Sequence, residues 1–100
     1  MIEIIRYNIA AGQEAAFEDA YRKAGEHLRA SPHCLSYQIT RCVEEPGRYI
    51  VRIEWDSLEG HLQGFRKSPV FRDFFALVRP YVSAIEEMQH YEELETFARD

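Results

Sequence analysis

The sequence is poor in the features that mark several large classes of protein. Its 100 residues include two cysteines, five glycines and four prolines, and no apolar run approaches the roughly 18 residues of a membrane-spanning helix. Seventeen Asp and Glu residues outnumber twelve Lys and Arg residues, and no basic run is longer than a pair such as Arg66-Lys67. Nucleic acids and anionic membranes both require a concentrated basic face, so we expect neither as a partner.

Signal-peptide and disulfide features are scarce as well. The N-terminal MIEIIRYN lacks the layout of a signal peptide, which predicts a soluble cytoplasmic protein. Cys34 and Cys42 fall in one predicted strand, and at about 3.3 Å per residue they lie about 26 Å apart. That separation is too long for a disulfide within one straight strand, so we expect free thiols.

What the chain does have is apolar and aromatic side chains. Hydrophobic residues make up 46% of the sequence and aromatic residues 13%, a composition typical of a packed globular chain. The length predicts a single domain over residues 1–100. A domain of this size buries a smaller share of its surface than a larger domain does, so self-association would help to stabilise it.

The first half of the chain predicts a strand, a helix and a hairpin. The opening IEIIRYNI alternates as a strand, and Gly12 breaks it. From Gln13 to about Arg29 apolar residues recur at helical spacing, and Ser31-Pro32 ends this helix. The runs CLSYQITRCV and RYIVRIEW then alternate on either side of the turn EEPG, which predicts an antiparallel hairpin.

The second half predicts a broken helical region and a last strand. Asp56 to Glu59 has the pattern of a capping box, in which Asp56 caps a new helix. Ser68-Pro69 begins a further short helix, which Pro80 ends. The run YVSAIEEMQHYEEL is compatible with helix or strand, and we interpret it as a strand from about 83 to 92.

The resulting order, β-α-β-β-α(α)-β, matches an α+β ferredoxin-like split βαβ fold with a four-stranded antiparallel sheet. The first strand carries Ile2 and Ile4 on one face and Ile5, Tyr7 and Ile9 on the other. Helices cover one face of such a sheet, so apolar residues on both faces require a second cover. A homodimer that pairs sheet faces across a twofold axis would supply it.

Strong catalytic motifs are missing. The sequence contains no phosphate-binding glycine loop, CxxC pair, HExxH or nucleophile elbow. Its four histidines are spread over different elements, which gives no spacing typical of zinc ligands. We therefore expect no metal and no cofactor.

His61 is the histidine of greatest interest. Leu58, His61, Leu62 and Phe65 follow the i, i+3, i+4, i+7 pattern, which places His61 on the inward face of its helix. One interpretation is a core histidine bonded to a backbone carbonyl. The other is a proton donor or acceptor in a cavity wall, since burial tunes histidine across neutral pH.

Aromatic residues cluster near this histidine. Taken singly, each ring suits a core, but together they are more than a close-packed layer over a small sheet uses, so they also fit an apolar ligand pocket. Trp55 is either a packing residue at the rim or a stacking platform. The clustered rings are Phe65, Phe71, Phe74, Phe75 and Tyr81.

Three polar residues on the strands have alternative interpretations. Asn8 shares its strand face with Ile2, Ile4 and Arg6, and either holds the neighbouring turn or directs a hydrogen bond to a bound carbonyl. Arg6 and Arg52 are either surface charges or anchors for an acidic or phenolate substrate.

YNIAAGQEAAF, the strand ending in EW, and WDSLEGHLQGFRKSPVFRDFF together resemble the antibiotic biosynthesis monooxygenase (ABM) family over nearly the whole chain. The resemblance implies a dimeric α+β barrel. It also implies relatives among cofactor-free oxygenases of phenols, anthrones and quinols, and among heme-degrading proteins. The heme-degrading branch has an asparagine that matches Asn8, a tryptophan where this chain has Phe65, and a heme-ligating histidine where it has Phe75. Phenylalanine cannot ligate iron, which argues against heme degradation by that route.

The cofactor-free branch implies a site in which a deprotonated phenolic substrate itself supplies the electrons to O₂. This branch shares few fixed positions, and the residues here that could form such a site are Asn8, Tyr37, Arg52, Trp55 and His61. The primary hypothesis is a monooxygenase that oxidises a small hydrophobic aromatic substrate with O₂, with Asn8 or His61 handling the proton or polarising oxygen. Alternatives are a non-catalytic domain that binds a small molecule in the same cavity and, third, a heme-binding protein.

Overall fold

A computed structural model describes residues 1–99 of the chain. The strands are β1 (Ile2–Asn8), β2 (Cys34–Arg41), β3 (Arg48–Trp55) and β4 (Ile85–Tyr91), and the α-helices are α1 (Glu14–Arg29) and α2 (Pro69–Val78). A π-helix, Gly60–Phe65, precedes α2, and a 3₁₀-helix, Arg79–Ala84, follows it. The predicted order of elements is confirmed.

The four strands form one antiparallel sheet in the order β2-β3-β1-β4. The two central strands are therefore β3 and β1, each paired on both edges. The tight β2-β3 connection depends on Gly47, whose φ of +88° is a conformation that L side chains rarely adopt. A Cβ there would also lie 2.5 Å from the carbonyl oxygen of Ile9. The predicted hairpin and its EEPG turn are confirmed.

Helices cover one face of the sheet and leave the other open. We call the first the covered face and the second the open face. In β1, Ile5 and Tyr7 are buried under the helices, whereas Arg6 and Asn8 are exposed on the open face. Ile2 and Ile4 lie on the open face and are half-buried. The predicted division of apolar residues between the two faces of β1 is confirmed.

An aromatic cluster forms the core between α1 and the sheet. Phe17 of α1 is fully buried, with its ring centroid 4.8 Å from that of Tyr7, 4.7 Å from that of Tyr49 and 5.2 Å from that of Tyr81. Such tilted ring pairs add to the stability gained from buried area. Tyr81 thus packs in this core, apart from the other rings of the predicted aromatic cluster.

The start of the second helical region differs from the prediction by one residue. Ser57, not Asp56, caps it, since the backbone N–H of Gly60 donates to Ser57 Oγ at 2.8 Å. The carboxylate of Asp56 instead pairs with His33 Nδ1 at 2.8 Å. Leu58, expected on the inward face, is 41% exposed. The i, i+3, i+4 pattern applies to an α-helix, whereas from Gly60 to Phe65 the chain forms a π-helix with more residues per turn.

Both cysteines carry free thiols. Cys34 and Cys42 form no disulfide within residues 1–99, as their spacing along one strand predicted. None of the helices in the same range combines the length and the apolar character that a bilayer span requires.

Candidate functional site

A cavity of about 220 Å³ lies between the covered face of the sheet and the π-helix, α2 and the 3₁₀-helix. Its exposed lining residues Phe75, Val82 and Met88 mark its mouth. The interior is mostly apolar, with a few polar groups at one end. Such a composition is typical of small-molecule sites.

Phenylalanine rings from the π-helix and α2 form one wall of the cavity. The centroid of Phe65 lies 5.5 Å from that of Phe71 and 5.4 Å from that of Phe74, both in edge-to-face geometry. Phe71 and Phe75, one helical turn apart, stack with centroids 5.6 Å apart. These rings present a flat, apolar surface to the cavity, which suits a planar aromatic ligand.

Four side chains, which we call the polar cluster, meet at the inner end of the cavity: Glu3, Trp55 and His61, which line it, and His90, which contacts His61 from outside the lining. Glu3 and His90 face each other across β1 and β4, and Trp55 ends the neighbouring strand β3. The π-helix contributes His61, whose Nδ1 lies 2.8 Å from His90 Nε2 and whose Nε2 lies 3.6 Å from Glu3 Oε1. Three strands and one helix therefore build the cluster.

Trp55 holds two members of the polar cluster in place. Its indole stacks on the imidazole of His61, with centroids 4.3 Å apart and planes 9° apart. Its Nε1–H donates a hydrogen bond of 3.1 Å to Glu3 Oε1. Trp55 is fully buried and packs against His61 and Phe65, and its role as a stacking platform for a ligand stays a prediction.

Burial controls the protonation of the polar cluster. It lowers the pKa of His61 to about 4, with the charges of Arg66 and His90 acting in the same direction. Burial also lowers the pKa of His90, again with a contribution from Arg66. For Glu3, burial raises the pKa, against the hydrogen bond from Trp55 and the charge of Arg66. Both imidazoles are thus neutral near pH 7, and in the hydrogen bond between them one ring donates its N–H to the lone pair of the other.

A pair of phenols lies further along the cavity wall. The hydroxyls of Tyr7 and Tyr21 are 2.6 Å apart, and both rings are buried. Burial raises the pKa of Tyr7 to about 12 and raises the pKa of Tyr21 well above its ordinary value. These phenols stay neutral near pH 7, so they can supply hydrogen bonds but no charge.

Arg66 is the cationic side chain that lines the cavity. It is exposed, and its guanidinium carbon lies 5.9 Å from the ring centroid of Phe71. A cation held over an aromatic ring beside an apolar cavity suits an anionic ring substituent on a ligand.

The structure brings six of the predicted site residues together around this cavity. They are Trp55, His61, Phe65, Phe71, Phe74 and Phe75. Asn8, Arg6 and Arg52 lie on the open face of the sheet instead, with Arg6 Nε 2.6 Å from Glu87 Oε1. Tyr37 lies on the covered face outside the cavity, close against α1, where a Cβ on Gly25 would meet its hydroxyl.

Sequence reasoning missed Glu3, His90 and Arg66. A signal existed for Glu3, because it precedes Ile5 and Tyr7 at period two and must share their covered face. No comparable signal existed for His90, since its approach to Glu3 depends on the β1-β4 register, which the sequence does not reveal. Arg66 was noted only as a member of the basic pair Arg66-Lys67.

The sequence was compared with known protein families and with known proteins. The sequence profile described as "Antibiotic biosynthesis monooxygenase" matches residues 1–77. Uncharacterized protein YczJ from Bacillus subtilis is 28% identical over 92 residues, which cover 92% of this chain and 97% of YczJ.

Solved structures share the fold. A Bordetella bronchiseptica protein, provisionally named an antibiotic biosynthesis monooxygenase, superposes with a TM-score of 0.77 at 24% identity, covering 94% of this chain and 96% of its own. SnoaB from Streptomyces nogalater, a cofactor-independent oxygenase solved as a point mutant, superposes with a TM-score of 0.81 at 12% identity, covering 98% and 96% of the two chains. At these identities the likeness concerns the fold.

Proposed function

The chain belongs to the antibiotic biosynthesis monooxygenase family, and from that premise we propose that it is a cofactor-independent monooxygenase of a phenolic, anthrone or quinol-like aromatic. The observation that carries the proposal is a neutral, buried His61 at the inner end of a cavity walled by phenylalanine rings. SnoaB, which shares the fold, is a cofactor-independent oxygenase.

The cavity favours a small, flat substrate. Its volume of about 220 Å³ is below the about 300–1,000 Å³ of pockets for drug-sized ligands. A one- or two-ring phenol or quinol therefore fits better than a larger polycycle. The ring would lie against Phe65 and Phe74, with its hydroxyl toward His61.

Proton removal is the step that the polar cluster would perform. His61 accepts the phenolic proton, and Glu3 stabilises the resulting imidazolium from 3.6 Å away. His90, 2.8 Å from His61 and less buried, offers a route for the proton toward solvent. Arg66 favours the phenolate left in the cavity.

Oxygen chemistry would then proceed with electrons from the substrate. The phenolate carries carbanion character on its ring and passes an electron to O₂, after which the two radicals combine. The peroxide anion that results takes a proton from the His61 imidazolium. The hydroperoxide, whose carbon still bears a hydrogen, then loses water to give C=O, so one oxygen atom enters the product and the other leaves as water. The protein's part is to bind, deprotonate and exclude water.

A homodimer through the open face forms part of the proposal. Ile2 and Ile4 are half-buried there in the single chain, beside charged and polar residues. A second copy would cover them in an isologous interface. Ile4→Asp is expected to shift the molar mass in solution from dimer to monomer in light scattering, and an unchanged molar mass would place the interface elsewhere.

Oxygen uptake by the purified protein tests the reaction. Naphthoquinols and other one- or two-ring phenols and quinols serve as the main substrates, anthrones and flavonols serve as larger ones for comparison, and His61→Gln is compared with the wild type. We expect uptake that depends on the enzyme and falls about 10²–10⁴-fold in the variant, the usual range for a lost general base. His27→Gln, on α1 and outside the cavity, is the matched histidine control.

Two results would contradict the proposal. Undiminished uptake in His61→Gln would remove His61 from the reaction. A compound that raises the melting temperature without any oxygen uptake across the panel would instead indicate a small-molecule binding domain that uses the same cavity.

A further inference from the structure

The polar cluster contains three potential metal ligands that converge on one point. Glu3, His61 and His90 each offer a ligand atom, and these three atoms lie within 4.8 Å of one another. The convergence is built into the fold, because Glu3 and His90 are paired across β1 and β4 while the π-helix places His61 above them.

One oxygen atom among these potential ligands has no hydrogen-bond partner within the described residues. Glu3 is 1% exposed, and its Oε2 accepts no hydrogen bond from any residue in the described part of the chain. Its other oxygen receives the indole N–H of Trp55. A buried carboxylate oxygen without a partner destabilises the fold, because it has lost its hydrogen bonds to water. A cation beside it would remove that cost.

The donor set has the chemistry of a transition-metal site. Two imidazoles and one carboxylate are ligands that Zn²⁺ and Fe²⁺ accept, and three protein ligands leave further positions open. His61 Nδ1 and His90 Nε2 share one hydrogen bond, so the proton between them has to move to another ring nitrogen when both nitrogens bind a metal.

The distances require a small adjustment. Two nitrogens bound tetrahedrally to one Zn²⁺ at about 2.0–2.1 Å would lie about 3.3 Å apart. His61 Nδ1 and His90 Nε2 are 2.8 Å apart, so the rings need to separate by about half an ångström. The three ligand atoms lie within 4.8 Å of one another, so the carboxylate of Glu3 also has to move toward the imidazoles. The contacts of Trp55 with both His61 and Glu3 correspond to the outer-shell support that orients metal ligands elsewhere.

We propose that Glu3, His61 and His90 bind a divalent first-row transition metal ion of the Zn²⁺ class at the inner end of the cavity. The inference goes beyond the proposed function and does not depend on it. The bound ion occupies lone pairs that the proposed proton transfer requires, so metal binding and cofactor-free turnover exclude each other.

Cobalt titration of the purified full chain tests the binding itself. Protein stripped with a chelator is titrated with Co²⁺, whose visible absorption reports ligand number and geometry, and Zn²⁺ is then added as the competitor. The wild type should show a saturable band that Zn²⁺ abolishes. His90→Gln and Glu3→Gln should each bind at least about 10-fold more weakly, and His27→Gln should match the wild type. Far-UV circular dichroism identifies any variant that has lost its fold.

Arg66→Gln provides an independent variant that keeps all three ligands. Its charge opposes a cation at the cluster, so its removal should tighten Co²⁺ binding. Absence of a band in the folded wild type, or equal affinity in wild type, His90→Gln and Glu3→Gln, would overturn the proposal. Oxygen uptake with and without Zn²⁺ is a separate readout: a loss of Co²⁺ binding leaves the oxygenase proposal intact, and a lack of turnover leaves the metal site intact.

Discussion

The two faces of the sheet differ in the burial of their charged residues. On the covered face, Glu3 is buried with one oxygen unpartnered within the described residues, among the aromatic and aliphatic side chains of the cavity. Three residues later and on the open face, Arg6 is exposed and paired with Glu87 at 2.6 Å. A surface pair of this kind contributes little to stability, about 0–1 kcal/mol.

The comparison shows where a functional site can be sought in a small domain. Charges on the open face are compatible with solvent or with a partner, and they need no further explanation. Burying a carboxylate on the covered face lowers the stability of the fold. Its presence beside two neutral imidazoles therefore indicates a functional site. Four predictions sharpen this contrast.

Trp55→Ala is expected to produce the largest change in stability. It removes a fully buried indole from the covered face, together with the stack on His61, and should lower the free energy of unfolding by about 3–5 kcal/mol. Tyr91→Ala on the open face removes a ring that is 44% exposed and should cost less than about 1 kcal/mol. Urea denaturation of both variants measures the difference, and equal costs would erase the distinction between the faces.

Tyr21→Phe should have the next largest effect. The substitution leaves the buried hydroxyl of Tyr7 without its partner at 2.6 Å, at a cost of about 1–3 kcal/mol. Tyr91→Phe is the matched change on the open face, where water replaces the lost bonds, and should shift the urea midpoint very little. A midpoint for Tyr21→Phe that matches the wild type would mean that Tyr7 finds another partner.

Asn8→Ala tests whether the open face takes part in the reaction. Asn8 is exposed and lies outside the cavity, so oxygen uptake should stay within about twofold of the wild type, far less than the loss expected for His61→Gln. A loss comparable to that of His61→Gln would support the interpretation of Asn8 as a catalytic residue and would require a site on the open face.

Glu87→Gln should have the smallest effect, a slight loss of stability above pH 4.5 that disappears in acid. Hydrogen bonds from Tyr91 and then Arg6 lower the pKa of Glu87 below its ordinary 4.5. Its contribution to stability is therefore present above pH 4.5 and lost as the pH falls through the lowered folded-state pKa. The variant should show a shallower acid limb in a plot of stability against pH. An unchanged limb would mean that the pairs do not form in solution.

Most of the fold could be predicted because most of its signals are local. Alternation identified the strands, and the spacing of Phe17, Tyr21, Ala24 and Leu28 identified the first helix. The helix cap was misplaced by one residue because Asp56 bonds to His33, a distant partner in sequence. Local patterns cannot predict that competition.

The candidate site was less predictable because it depends on contacts between distant segments. His61 and the phenylalanine rings could be found from helical spacing. The meeting of Glu3 with His90 requires the strand register, and the stack of Trp55 on His61 requires the angle at which the π-helix crosses the sheet. Asn8 was singled out for its residue type, although its face of the strand was known from alternation.

The π-helix Gly60–Phe65 determines how the site responds to a change in the length of the chain. The N–H of Arg66 bonds to the carbonyl of His61, five residues back, so this helix accommodates about one residue more per turn than the neighbouring α-helices. Removing exposed Gln63 would allow ordinary α-helical winding, in which each residue advances by about 100°. His61 and Phe65 would then be three residues apart and would still share the inward face of the helix. A single codon deletion would thus remove the π-helix and leave both side chains in the cavity wall.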